Sequence, residues 1–106
     1  MPVINRVAEL AGETAKWRRD MHRHPELLFE LPRTSAFVAE RLRAFGCDQV
    51  VAGIGRTGVV GVIRGRKGTG SRAIGLRADM DALPITEATG LPYQSTVPGK
   101  MHACGH

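Results

Sequence analysis

The chain is short of cysteine, short of aromatic residues and without a long apolar run, and each shortage removes a class of protein. Its two cysteines, Cys47 and Cys104, are too few for the disulfide framework of a small secreted domain. No apolar stretch approaches the roughly 18 residues of a membrane-spanning helix, so no membrane partner is expected. The start, MPVINRVAEL, lacks a basic segment followed by an apolar block and does not read as a secretory leader. A cytoplasmic location is therefore expected. With one tyrosine, one tryptophan and three phenylalanines, the sequence has no aromatic residues alternating with its basic ones.

That last shortage bears on the charge. Fifteen basic against ten acidic residues give a net charge of +5, and such an excess can signal nucleic-acid binding. Here the basic residues are scattered. Arg18, Arg19 and Arg23 fall in one segment, Arg41 and Arg43 in a second, and Arg64, Arg66, Lys67 and Arg72 around one loop. Solvated faces and a basic turn explain them, and no nucleic-acid partner is expected. Cys47, in the run Phe45-Gly46-Cys47-Asp48, reads as a small buried residue.

What is present is the composition of one soluble domain, with 42% hydrophobic and 24% charged residues over a length of 106. Val3, Val7, Leu10, Thr14, Trp17 and Met21 recur at steps of three and four, which predicts an amphipathic helix from Val3 to about His22. Pro25 ends that pattern. A second helix is predicted from Pro32, where a missing N–H is harmless. Phe37, Val38, Leu42 and Phe45 are its expected buried stripe, and Gly46 its left-handed cap. The texture then changes to short β-rich runs bounded by glycine, at 49–52, 59–63 and 73–76. The expectation is an α/β fold, two helices followed by a mixed sheet spanning Val50 to Ala78. From Asp79 to His106 no long element is expected. A structureless stretch of that length suggests a site-building loop or missing partners.

Two glycine-rich stretches invite nucleotide readings and fail them. Gly53-Ile54-Gly55-Arg56-Thr57-Gly58 has the letters of the dinucleotide fingerprint, but that mechanism needs a helix to follow, and Val59–Ile63 is a strand. It reads as a hairpin connection. Gly65-Arg66-Lys67-Gly68-Thr69-Gly70 lacks the phosphate-loop spacing and reads as a second hairpin.

Two other stretches could carry chemistry. In Leu76-Arg77-Ala78-Asp79-Met80-Asp81-Ala82-Leu83-Pro84, an apolar run meets two acids spaced two apart, which in an extended chain point the same way. They could ligate a metal, orient a ligating histidine, or simply accept backbone N–H bonds in a tight turn. In Met101-His102-Ala103-Cys104-Gly105-His106, three potential ligands alternate, and Gly105 lets the backbone approach closely. A thiol between imidazoles favours a borderline-soft divalent ion such as zinc. The alternative is a terminal tail with coincidental residues, and three ligands from one segment do not complete a site.

Together these stretches resemble a known family. Trp17-Arg18-Arg19-Asp20-Met21-His22-Arg23-His24-Pro25-Glu26-Leu27, then Gly55–Val60, then LRADMDALPI from Leu76 to Ile85, and GKMHACGH from Gly99 to His106 follow its order and spacing. The chain is similar to the hippurate hydrolase and N-acyl-amino-acid amidohydrolase branch of the metal-dependent aminoacylase and carboxypeptidase family. The resemblance implies that Cys104 and His106 bind metal and that Asp79, Asp81 and His102 line the site. It implies a divalent metal cofactor, two ions per full-length site, with Zn, Mn, Co or Ni as candidates. The implied chemistry is hydrolysis of an N-acyl amino acid, with a small-molecule substrate, an activated water and a glutamate base. Relatives are several times longer, and in them an Asp follows the second His. The resemblance therefore implies that residues 1–106 are a truncated N-terminal portion of an α/β/α catalytic domain. The general-base Glu, the further ligands and the lid or dimerisation domain are not in it, and the chain alone is expected to be inactive. Homo-oligomerisation of the full-length relative is compatible with this. The competing reading is a non-catalytic metal-binding or interaction protein.

Overall fold

The computed structural model describes residues 4–68 and 70–105. Two α-helices, α1 (Asn5–Arg23) and α2 (Pro32–Ala44), precede two strands, β1 (Gln49–Ile54) and β2 (Gly58–Val62). This helix, helix, strand, strand order is the expected α/β class. The chain divides into two compact units, one of residues 1–25 with 82–104, the other of residues 26–81 with 105–106.

In the second unit, α2 begins at Pro32, whose fixed φ and missing N–H suit the first turn. Leu31 occupies the N-cap position and offers no side-chain acceptor. The Glu26 carboxylate takes that role instead, accepting the Arg33 N–H at 3.1 Å and the Thr34 N–H at 2.7 Å. At the other end, the Gly46 N–H donates to the Arg43 carbonyl at 3.0 Å and the Cys47 N–H to the Leu42 carbonyl at 3.2 Å. Those paired bonds, with Gly46 at φ +83°, form a Schellman closure, as the sequence predicts.

The buried stripe of α2 differs from expectation. Thr34, Ser35 and Ala39 are its buried residues, whereas Phe45 is 60% exposed and Phe37, Val38 and Leu42 are half-buried. α2 comes close to the sheet at Leu42. A Cβ added to Gly61 of β2 would meet Leu42 Cδ1 at 3.2 Å and Cys47 Sγ at 3.3 Å. Cys47 is half-buried in this contact.

The two strands pair antiparallel, Gln49 with Val62 through Ile54 with Gly58, with an irregularity between Ala52 and Ile54. Gly53–Gly58 is thus a hairpin connection, and the nucleotide reading is excluded by the strand that follows. Gly58 is required there, since a Cβ would stand 2.5 Å from the Ile54 carbonyl oxygen. Arg56, at φ +85°, is held by an ion pair from its Nη1 to Glu30 Oε1 at 2.9 Å, and the Thr57 hydroxyl donates to the Phe29 carbonyl at 2.8 Å. Beyond β2, the Arg64 N–H donates to Asp48 Oδ2 at 2.6 Å.

The sheet is smaller than expected, and its antiparallel pairing replaces the mixed sheet. Among the described residues it has two strands, and 73–76 is not one of them. Ile74 and Leu76 are 92% and 95% exposed. β-branched and apolar residues favour a strand only when a neighbouring strand supplies hydrogen bonds and side-chain contacts, and 73–76 has none here. The expected hairpin at 65–70 fails for the same reason: it forms a turn at Arg66–Lys67 with no strand after it, and Thr69 lies outside the described residues.

In the first unit, α1 runs from Asn5 to Arg23, so the predicted helix is present, with Val3 outside the described residues. None of its residues is fully buried, and Val7 and Leu10 lie on the exposed side of its stripe. The chain from 82 to 104 contains no long element, as predicted. It is tied by an antiparallel bridge, Leu83 N–H to the Met101 carbonyl at 2.9 Å and the reverse at 3.0 Å.

Candidate functional site

The bridge between Leu83 and Met101 lies within the first unit, where Leu83 follows the acidic pair in sequence and Met101 precedes His102 and Cys104. His102 is half-buried and Cys104 exposed. Asp79 and Asp81 belong to the second unit. Asp79 is half-buried and pairs with Arg77 Nη2 at 2.5 Å, and Asp81 is exposed. His106, an expected ligand, lies outside the described residues. Among the described residues, no group of three or more His, Cys, Asp and Glu side chains is arranged to hold a metal ion.

The geometry around His102 brings in residues that the sequence does not single out. His22, at the end of α1, has its ring 6.3 Å from that of His102 and edge-on to Tyr93 at 5.9 Å. Its Nε2 lies 2.7 Å from Glu87 Oε1, and both side chains are almost wholly shielded from solvent. Glu87 also accepts the Ser95 N–H at 2.9 Å and the Thr89 hydroxyl. The Thr89 hydroxyl is the largest influence on this carboxyl. Burial opposes it, and the Ser95 amide and His22 add to it, so the group is held below the usual carboxylate range. An ionised carboxylate only accepts hydrogen bonds, so the proton in the pair sits on His22 Nε2.

The same loop closes α1. The Thr96 N–H and hydroxyl both donate to the Arg23 carbonyl, at 2.9 and 2.7 Å, satisfying an acceptor that the helix end leaves open. Tyr93 lies under the guanidinium groups of Arg19 and Arg18, at 4.7 and 5.7 Å from the ring centroid, within cation–π range. One signal could have found this pair. A buried acid needs donors, and Thr89 follows Glu87 at turn spacing, with Ser95 eight residues on. Its link to His22, 65 residues away, is not local and cannot be read from spacing.

Glu26 is the other overlooked residue. Burial raises its carboxyl affinity for a proton, but the Thr34 and Arg33 amides and the Arg33 charge outweigh this and hold it below the usual range. Its work is capping α2, not chemistry. Among the described residues, no helix is long and apolar enough to cross a membrane.

Known proteins are similar to this chain. Residues 75–106 match peptidase family M20/M25/M40. The whole chain is 49% identical to hippurate hydrolase of Campylobacter jejuni, covering 27% of that protein. Over 89 residues it is 48% identical to N-acetyldiaminopimelate deacetylase of Exiguobacterium sibiricum, with 84% of this chain and 24% of the relative covered. Among solved structures, the Bacillus subtilis YXEP protein, described as a dinuclear metal binding peptidase from the M20 family, superposes with a TM-score of 0.83 at 38% identity. That match covers 92% of this chain and 27% of the other. Residues 75–106 carry the match to peptidase family M20/M25/M40, and the chain spans about a quarter of the length of these relatives.

Proposed function

We propose that this chain supplies one edge of the metal centre of an amidohydrolase that cleaves N-acyl amino acids, hippurate-like compounds first among them. Hippurate would give benzoate and glycine. The observation that carries the reading is the 49% identity to a hippurate hydrolase along all 106 residues, HACGH motif included. Cys104 and His106 are the metal ligands, and Asp79, Asp81 and His102 line the site. The donor chemistry fits a borderline-soft divalent ion: a thiolate and an imidazole suit Zn, Co or Ni better than Mn, and the complete centre would hold two ions. Cys104 is exposed and therefore reachable, and nothing lies within 4 Å of a Cβ built on Gly105, so the backbone there is open to a ligand. Cys104 and His106 are two donors, fewer than a catalytic metal site uses. The remaining ligands come from other parts of a longer protein.

A bound divalent ion would polarise the amide carbonyl and acidify water. The reaction adds water across the C–N bond, giving a carboxylic acid and a free amine. Four glutamates are engaged elsewhere and do not supply the base. Glu26 caps α2, Glu87 is bound to His22, Thr89 and Ser95, Glu30 pairs with Arg56 and Glu40 with Arg41. The 106-residue chain alone is expected to be inactive. In the test, the chain and a longer protein from the same gene region are assayed on hippurate and other N-acyl amino acids, with and without chelator. Cleavage by the longer protein, lost on chelation and restored by metal, is expected. Metal-dependent turnover by the chain alone would overturn the assignment of required residues. Failure of the metal-loaded longer protein on every N-acyl amino acid would overturn the function.

A further inference from the structure

The most heavily shielded ionic pair in the first unit is not among the residues assigned to metal or substrate. It joins the end of α1 to the loop that leads to Cys104. Glu87 holds three donors from three points of the chain: His22 Nε2 at 2.7 Å, the Ser95 N–H at 2.9 Å and the Thr89 hydroxyl. Next to it, Thr96 grips the Arg23 carbonyl twice. On its other side, the His22 ring stands 6.3 Å from His102, the residue two before Cys104. The same stretch is closed by the bridge between Leu83 and Met101.

We infer that Glu87 and His22 are positioning residues for the metal-binding stretch, fixing the path of residues 101–104 by tying loop 86–97 to the end of α1. The loop has no helix or strand to order it, so its order depends on these side-chain bonds. Glu87 is placed for this because one buried carboxylate satisfies a helix side chain and two loop donors at once. Truncation leaves those donors unpaired together and frees the loop as a unit. The metal part of the inference rests on the proposed role of Cys104, whereas the ordering of residues 101–104 does not.

The test compares the full chain with Glu87→Ala, Glu87→Gln, His22→Ala, Cys104→Ala and, as a control in the other unit, Glu26→Ala. Amide hydrogen exchange at Leu83 and Met101 reads the path of the stretch without metal. The ultraviolet band of a cadmium–thiolate bond, titrated with cadmium alone, reads how well Cys104 is presented. Glu87→Ala and His22→Ala should speed exchange at Leu83 and Met101 by about tenfold or more and weaken cadmium binding about as much. Glu87→Gln, which keeps an acceptor for His22 and Ser95, should recover most of both. Glu26→Ala should lower stability and leave both readings near those of the unaltered chain. Equal exchange at Leu83 and Met101 in Glu87→Ala and the unaltered chain overturns the inference, as does a loss in Glu26→Ala as large as in Glu87→Ala. If exchange responds as expected but the unaltered chain shows no cadmium–thiolate band beyond Cys104→Ala, the positioning of residues 101–104 stands and the assignment of Cys104 as a ligand falls.

Discussion

Replacing Glu26 with alanine isolates one interaction whose strength can be worked from the structure. The N-terminus of α2 has Leu31 at its cap position, so no local side chain serves the first-turn amides. Glu26 serves two of them, at 2.7 and 3.1 Å. Loss of a capping side chain costs about 0.5–2 kcal/mol, typically near 1. Glu26 is only part-buried, so water replaces some of what is lost and the expected cost is about 1 kcal/mol. Glutamine keeps an acceptor and forfeits the charge–dipole attraction, about 0.3–1 kcal/mol. Thermal and urea unfolding followed by helical circular dichroism should place Glu26→Gln between the unaltered chain and Glu26→Ala. For a chain of this size, 1 kcal/mol corresponds to roughly 4–8 °C in Tm. A Glu26→Ala protein melting within about 1 °C of the unaltered chain would refute the reasoning, and so would Glu26→Gln melting below Glu26→Ala.

Other consequences can be checked alongside it. Because the Glu26 and Glu87 carboxyls are held below their unfolded values, each stabilises the fold above the ordinary carboxylate range, and that contribution is lost as pH falls through the folded values. Tm should therefore fall on acidification below that range, and the slope should be shallower in Glu87→Gln. Gly58→Ala would force a Cβ against the Ile54 carbonyl oxygen, 2.5 Å away, and should destabilise by about 1–3 kcal/mol in urea unfolding. With Ile63, Ile74 and Leu76 each more than three-quarters exposed, the isolated chain should bind a hydrophobic dye in its native state and self-associate. A monomer that melts cooperatively without binding dye would contradict that.

Local features of the fold are legible in the sequence, and relationships across long separations are not. Both helices, the Gly46 closure of α2 and the hairpin at Gly53–Gly58 rest on periodicity and turn chemistry within a few residues. Composition overstates the third strand, because Ala73–Leu76 has strand-forming residues but no partner. Periodicity places the buried stripe of α2 on its large residues, whereas burial falls on Thr34, Ser35 and Ala39, an outcome of tertiary packing that spacing along the helix does not carry. At the site, Cys104 and His102 stand out as residue types at a telling spacing. The pairing of Glu87 with His22 does not, since Glu87 lies in no motif and the two stand 65 positions apart. The cap on α2 leaves a faint trace: a helix opening Leu31-Pro32, without Ser, Thr, Asp or Asn before it, must borrow an acceptor from elsewhere.

The central claim is that Cys104 is a ligand in the metal centre of an N-acyl-amino-acid hydrolase. Its most direct test is bound metal and hippurate hydrolysis measured together in the longer protein, with and without Cys104→Ala. The account predicts that the substitution lowers bound metal and reduces hydrolysis to the level of the metal-stripped protein, while the circular dichroism spectrum is unchanged. A Cys104→Ala protein that keeps its metal and its turnover would contradict it.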